Sequence, residues 1–154
     1  MSDRKLSRRA VVGAGLATVA VAGAGAGWAL WPGAGFAGRS LSVEQAYQAV
    51  QAGDILLVDI RRPDEWADTG IAEGAYPLDM RRTDFADALA ALKKDAPDRP
   101  VALICARGVR SSRLATQLTE AGFAGVINVP EGMLGSRHGP GWIGAGLPRR
   151  MPDK

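Results

Sequence analysis

Residues 101–118 read VALICARGVRSSRLATQL, and they divide into three parts of different character. The first part, residues 101–104, is an uninterrupted apolar run, which is typical of a parallel strand covered on both faces. The second part begins at Cys105, the only cysteine of the chain, and contains a glycine, two arginines and a serine. The third part, residues 112–118, has the residue spacing of a helix. The sequence therefore predicts a strand, a short loop and a helix, with a thiol where the strand ends.

The position of Cys105 favours a chemical role over a packing role. The N-terminal end of a helix presents N–H groups without acceptors and a partial positive charge. Those groups stabilise a thiolate and can hold an anion beside it. Arg107 and Arg110 lie in the same short stretch and act in the same direction. The alternative is a cysteine that only fills space, since free cysteines often behave as small hydrophobes.

The rest of the chain predicts alternating strands and helices, without an internal repeat or a second domain. Ser42 and Gln45 have the spacing of a capping box, before a helix that ends at Gly53. Further expectations are a strand at 55–58, a helical turn from Pro63, a loop at 70–75, a strand at 76–78, a helix capped by Thr83 or Asp84, a helix end at Gly122, a strand at 126–129 and an irregular tail rich in Gly and Pro. This alternation predicts an α/β fold with a central, mostly parallel sheet flanked by helices.

Asp59 and Arg61 follow the first predicted strand and are expected beside Cys105, because the carboxyl ends of parallel strands meet at one edge of a sheet. We favour a supporting salt bridge for this pair over a direct chemical role. Trp142 is expected either at the mouth of the site or in the core. His138, the sole histidine, is expected in a surface loop. No metal or other cofactor is predicted, since a lone histidine provides no ligand set.

Residues 1–37 have the pattern of a targeting segment. Four basic residues and Asp3 lie in the first nine positions and account for the whole net charge of +3, so the remainder of the chain is neutral. Because the excess of basic residues is confined to this segment, the sequence does not predict a basic surface for binding nucleic acid. Residues 10–38 are uncharged and consist mainly of Ala, Gly and Val, which indicates an export signal. We divide the chain into this segment, a domain at 38–150 and a tail at 151–154.

The run Ser7-Arg8-Arg9-Ala10 resembles the twin-arginine export signal, although Ala-Val stands where a Phe-Leu pair is usual. The resemblance implies the twin-arginine export machinery as a partner and a periplasmic location. The alternative is that residues 10–31 stay uncleaved and anchor the protein in the membrane with its domain facing the periplasm.

Several motifs together resemble those of rhodanese domains, the sulfurtransferase family. Val58-Asp59-Ile60-Arg61, followed by Glu65-Trp66, resembles the first family signature, and residues 70–75 resemble its "GHIPGA" element. Residues 105–111 resemble the active-site loop C-x-x-G-x-R-S, and segments 129–133 and 146–148 resemble the closing segment. The departures are the absence of a histidine after Gly70 and a Glu131-Gly132 pair in place of Gly-Gly. They concern the rim of the pocket.

The resemblance implies transfer of sulfane sulfur through a persulfide on Cys105, from a donor such as thiosulfate or a persulfide to a thiol or cyanide acceptor. The chain from Ala106 to Ser111 is expected to form a backbone N–H cradle for the outer sulfur. Within it, Arg107 attracts anionic donors, Gly108 permits the turn, Arg110 braces the loop or binds the donor, and Ser111 caps the helix and donates to sulfur. The full predicted cradle is Ala106, Arg107, Gly108, Val109, Arg110 and Ser111.

Two other readings remain open. A cysteine phosphatase or arsenate reductase separates its Cys and Arg by five residues, whereas four separate Cys105 from Arg110. The smaller ring suits a single sulfur atom. A non-catalytic rhodanese-like module, used for binding or for carrying sulfur to a partner, is the other reading, because a fold does not fix a function.

Overall fold

A computed structural model describes residues 35–152. The predicted twin-arginine motif, the apolar segment 10–31 and residues 153–154 of the predicted tail lie outside the described residues. Within 35–152, no helix is both long enough and apolar enough to cross a membrane.

Within residues 35–152, the central sheet consists of four parallel strands. They are β1 (Leu56–Asp59), β3 (Tyr76–Pro77), β4 (Val101–Ile104) and β5 (Val126–Asn128), in the spatial order β3-β1-β4-β5. Asp59 pairs with Ile104, so the strands that precede Arg61 and Cys105 end side by side. The predicted α/β class with a parallel sheet is confirmed.

Helices cover both faces of this sheet. On one face α1 (Val43–Ala52) and the short α5 (Gly141–Gly144) pack over alternate strand residues. On the other face lie α3 (Phe85–Lys94) and α4 (Val109–Glu120). Successive side chains of a strand point to opposite faces, and every residue of β1 and β4 is buried. This two-sided burial explains why both strands are continuous apolar runs.

The predicted start of α1 is confirmed. Ser42 Oγ accepts from the N–H of Gln45 at 3.2 Å, and Gln45 Oε1 accepts from the N–H of Ser42 at 2.9 Å. The helix ends at Gly53 in the left-handed conformation. The next helix, α2 (Pro63–Thr69), begins at the predicted proline but is longer than the single turn expected.

Three local expectations are wrong. The predicted loop 70–75 contains β2 (Ile71–Ala72), which pairs antiparallel with β6 (Arg149–Arg150). The tail predicted as irregular thus contributes both β6 and α5. Asp84 flanks α3, but its carboxylate binds Arg82 and makes no capping bond. The partners of β2 and β6 are distant in sequence and not visible in the local pattern, whereas Asp84 is taken up by Arg82, two residues before it.

Candidate active site

Cys105 lies immediately after β4, at the edge of the sheet where β1 also ends. Its side chain is 1% exposed. The N–H of Ile60 donates to the carbonyl of Ile104 at 3.0 Å, which extends the β1–β4 pairing up to the cysteine. The fold therefore brings the two predicted site segments, 59–61 and 105–111, to one edge of the sheet.

The predicted loop is shorter than expected, because α4 begins at Val109 rather than at residue 112. Val109, Arg110 and Ser111 form its first turn, and Gly108 occupies the N-cap position. Ser111 is therefore not the helix cap, and its hydroxyl donates to the carbonyl of Gly108 at 3.1 Å. The serine belongs to the helix, and Gly108 makes the turn that precedes it.

Two backbone N–H groups of the described residues reach the sulfur. The Sγ atom of Cys105 accepts from the N–H of Gly108 at 3.2 Å and from that of Ser111 at 3.4 Å. The hydroxyl of Ser111 lies 3.5 Å from Sγ. The first N–H groups of a helix have no intrahelical acceptor, so α4 directs further donors toward the same space. This arrangement stabilises negative charge on sulfur.

A second segment, residues 130–134, closes against the cysteine loop. The N–H groups of Met133 and Leu134 donate to the carbonyls of Cys105 and Ala106, both at 2.8 Å. The approach is so close that a Cβ on Gly108 would lie 2.0 Å from the carbonyl oxygen of Pro130. Gly108 also has φ +82°, which side chains rarely adopt. Glycine is required here on both counts.

The carboxylate of Glu131 anchors that segment to the first residues of α1 and α5. It is buried, with Oε1 accepting from the N–H of Val43 and Oε2 from the N–H of Gly141, each at 3.1 Å. These donors begin α1 and α5, so one carboxylate satisfies two helix N-termini. The departure from Gly-Gly therefore supplies an internal anchor, which the sequence pattern did not reveal.

Arg110 is bound by Glu65, a residue that the site prediction did not include. The carboxylate of Glu65 on α2 accepts from both terminal nitrogens of Arg110, at 2.8 and 2.6 Å. Hydrogen bonds and charge from Glu65 raise the pKa of Arg110. Burial acts to raise the pKa of Glu65, but the hydrogen bonds from Arg110 and the N–H of Arg62 hold it below its usual value. Of the two predicted roles for Arg110, this geometry matches the brace.

Asp59 and Arg61 form a buried salt bridge at 2.7 Å, with side chains 0% and 1% exposed. The remaining N–H groups of Arg61 bind the carbonyls of Glu65 and Gly70 and the hydroxyl of Thr69. The pair therefore fixes the C-terminal turn of α2, the helix that carries Glu65. Arg61 supports the site through its bonds to α2 and makes no hydrogen bond to the sulfur within residues 35–152.

The other residues singled out in the sequence lie in different environments. Arg107 is exposed at the outer side of the loop, and no ion-pair partner for it lies within residues 35–152. Trp142 is buried in the core, where its indole donates to the carbonyl of Pro148 and its ring meets Tyr47 edge-on. His138 is exposed in a surface turn. No cluster of three His, Cys, Asp or Glu side chains suited to a metal ion occurs in the described part of the chain.

Comparison with known proteins agrees with this geometry. A family model described as the rhodanese-like domain matches residues 42–136. A sulfurtransferase from Allochromatium vinosum is 33% identical over 100 residues, which cover 65% of this chain and 82% of that protein. The polysulfide-sulfur transferase homodimer from Wolinella succinogenes is 28% identical in sequence and has a TM-score of 0.56, with 75% of this chain and 80% of that chain covered.

A tRNA uridine(34) hydroxylase from Legionella pneumophila is 28% identical over 99 residues, covering 64% of this chain but 39% of that protein. The chain thus spans about two fifths of the length of those hydroxylases. The match to the family model covers more than half of the chain and includes the strand, the cysteine loop and the segment that closes on it. The chain therefore belongs to the rhodanese-like domain family.

Proposed function

We propose that the protein is a sulfurtransferase that carries sulfane sulfur as a persulfide on Cys105. The observation that carries the proposal is the position of Sγ, which accepts two backbone N–H bonds at the start of α4. Such donors favour the thiolate, the form that attacks sulfur.

With thiosulfate as donor, the Cys105 thiolate attacks the outer sulfur. A new S–S bond forms at Sγ, the S–S bond of thiosulfate breaks, and sulfite leaves with the bonding electron pair. An acceptor thiolate then attacks the outer sulfur of the persulfide, and the electron pair of the broken bond returns to Cys105 as thiolate. Cyanide removes the same sulfur as thiocyanate. Neither step requires an oxidant or reductant.

The charges around the site support an anionic donor. Arg110 is neutralised by Glu65, whereas Arg107 is exposed and has no ion-pair partner within residues 35–152. An unpaired guanidinium beside a loop of N–H donors attracts anions and binds them with directed hydrogen bonds. We assign donor attraction to Arg107 and loop bracing to Arg110.

The deciding experiment is the intact mass of the full chain after thiosulfate and then after cyanide, with Cys105→Ala in parallel. The proposal expects a gain of one sulfur atom that cyanide removes and that the variant does not show. A chain that gains no sulfur, although its thiol alkylates readily, would refute the proposal.

The phosphatase or arsenate reductase reading finds less support. A tetrahedral oxyanion requires a wide ring of donors and an arginine free to bind its oxygens. Here Sγ is held by the third and sixth following N–H groups, and both terminal nitrogens of Arg110 are engaged by Glu65. Release of phosphate from p-nitrophenyl phosphate by the wild type, abolished in Cys105→Ala, would favour this reading instead.

A binding or sulfur-carrier module is the remaining alternative. The presence of the cysteine and of a complete set of loop residues favours turnover over binding alone. A carrier differs from an enzyme only in its acceptor. Repeated turnover with thiosulfate and a small thiol, counted as sulfite molecules released per Cys105, separates the two.

We also propose that residues 1–37 direct export through the twin-arginine machinery to the periplasm, with membrane anchoring by residues 10–31 if the segment is not cleaved. The support is the basic start, the paired Arg8 and Arg9 and the uncharged stretch that follows. Replacing both arginines by lysine is expected to retain the protein in the cytoplasm. Fractionation with and without a membrane wash then separates cleavage from anchoring.

A further inference from the structure

Two six-residue segments of the chain share the pattern Asp-apolar-Arg-Arg-x-Asp. They are residues 59–64 (DIRRPD) and 79–84 (DMRRTD), so the expectation of no internal repeat is wrong at this scale. Each segment stands at the C-terminal end of one of the adjacent parallel strands β1 and β3. The two copies therefore leave the sheet side by side.

The contacts inside the two copies are also the same. The Asp59 carboxylate accepts from the backbone N–H of Arg61 at 3.1 Å and from its Nη2 at 2.7 Å. The Asp79 carboxylate accepts from the backbone N–H of Arg81 at 2.9 Å and from its Nη2 at 2.6 Å. In both copies the carboxylate also accepts from Nε of its arginine. Each aspartate thus fixes one edge of a guanidinium.

The copies differ in what the other edge of the guanidinium meets. Nη1 of Arg61 donates to the carbonyl of Glu65 at 3.2 Å and to the hydroxyl of Thr69 at 2.7 Å. Its Nη2 also donates to the carbonyl of Gly70 at 2.6 Å. The first copy therefore shows what this motif binds when it is filled, namely neutral oxygens of a polypeptide.

In the second copy the same edge faces solvent. The side chain of Arg81 is 61% exposed, and its Nη1 has no partner among residues 35–152. The two bonds to Asp79 hold the guanidinium plane in place, so a ligand would not have to order a free side chain. The second copy is a prearranged donor edge without its acceptor.

This edge lies beside the cysteine site. Met80 donates to the carbonyl of Ile60, and Ile60 donates to the carbonyl of Ile104, the residue before Cys105. The hydrogen bond from Arg62 lowers the pKa of Asp64, and the charge of Arg81 is close enough to lower it further. The strand that leads into the second copy, β3, is thus two strand spacings of ~4.8 Å each from β4, the strand that precedes Cys105.

We propose that Arg81 is a docking residue for a polypeptide sulfur acceptor, and that its free edge binds backbone carbonyl oxygens next to the acceptor thiol. This inference rests on the proposed sulfur transfer. Asp79 already neutralises the guanidinium, and the carboxylates of Asp64 and Glu65 lie nearby. A neutral carbonyl, as bound by Arg61, therefore fits this edge better than a carboxylate does.

The test compares three acceptors on persulfide-loaded full-length protein. They are the neutral peptide acetyl-Gly-Cys-Gly-amide, 2-mercaptoethanol and 3-mercaptopropionate. Arg81→Ala is expected to lower the kcat/KM ratio of the peptide to 2-mercaptoethanol about tenfold, as for loss of hydrogen bonds to a charged donor. Arg81→Lys keeps the charge without the fork and is expected to behave as the alanine variant does.

Arg82→Ala is the matched control, because Arg82 is similarly exposed and is paired with Asp84 in the same copy. An unchanged ratio in Arg81→Ala, an equal fall in Arg82→Ala, or a loss confined to 3-mercaptopropionate would overturn the docking proposal. The mass of the loaded protein is recorded first. If the wild type takes up no sulfur, the mass measurement refutes the proposed function and the docking proposal that rests on it. If the wild type takes up sulfur, the kcat/KM ratio tests the docking proposal alone.

Discussion

Glu65 and Arg110 form a two-bond ion pair, at 2.6 and 2.8 Å, that joins α2 to the first turn of α4. The pair fixes the outer wall of the cysteine loop with residues 45 positions apart in the sequence. Among residues 35–152, it leaves Arg107 as the arginine of the loop that has no ion-pair partner. The division of labour between the two arginines therefore depends on a glutamate on another helix.

Replacing Glu65 by Gln is expected to lower the free energy of unfolding at pH 7 by about 1 kcal/mol, since the pair is only partly buried. The pKa of Glu65 is lowered in the folded protein, so the contribution is present above its ordinary value of 4.5 and is lost as pH falls through the lowered pKa. Urea unfolding of both proteins at pH 7 and near pH 3 measures the difference. A difference in free energy of unfolding that is larger near pH 3 than at pH 7 would contradict a stabilising role for the charged Glu65.

Replacing Arg107 by Ala is expected to raise the KM for thiosulfate about fivefold with little change in kcat, because the guanidinium acts by attraction of the anion. The effect should shrink at high ionic strength. Arg99→Ala is the control, since Arg99 is exposed in the turn before β4, at the opposite edge of the sheet. Equal effects in both variants would show a general charge effect instead.

Replacing Gly108 by Ala is expected to cost at least about 3 kcal/mol of stability, because the new Cβ meets the Pro130 carbonyl and the segment must move. Gly122→Ala is the matched control, since Gly122 has φ +84° but a Cβ added there would meet nothing within 4 Å. It should cost about 1 kcal/mol, from backbone conformation alone. Thermal unfolding of the two variants compares these costs, and equal losses would remove the argument for close approach.

Replacing Arg61 by Met leaves the Asp59 carboxylate buried without its partner and is expected to cost about 3–5 kcal/mol. The corresponding change in the second copy, Arg81→Ala, removes a pair whose arginine side chain is 61% exposed and whose aspartate side chain is 12% exposed, and it should cost less than Arg61→Met does. Denaturant unfolding provides both values. If Arg61→Met does not fold, adding Asp59→Asn is expected to recover part of the loss.

Replacing Glu131 by Ala is expected to cost about 2–3 kcal/mol, because two buried helix N–H groups lose their acceptor. The persulfide on Cys105 should also lose its sulfur faster, as the segment 130–134 loosens against the loop. Glu120→Ala, at the exposed end of α4, is the control and should stay within about 0.5 kcal/mol of wild type. A stable Glu131→Ala protein would show that the anchor is dispensable.

Local patterns predicted most of the fold and the centre of the site. The capping box at Ser42 and the apolar run before Cys105 both involve neighbours in sequence, and both are confirmed. The ladder between β2 and β6 was missed because each strand has two residues and its partner is about 80 positions away. Glu65 and Glu131 were missed as site residues for the same reason, since a carboxylate in the sequence does not reveal which distant N–H or guanidinium it binds.

The burial of the sulfur has a consequence for handling the protein. A disulfide requires two Sγ atoms about 2.05 Å apart. The only thiol of the chain is 1% exposed and lies behind the loop and the segment that closes on it. Two folded copies therefore cannot bring their Cys105 sulfur atoms to bonding distance. The protein should stay free of covalent dimers in air without reductant, even in an oxidising compartment.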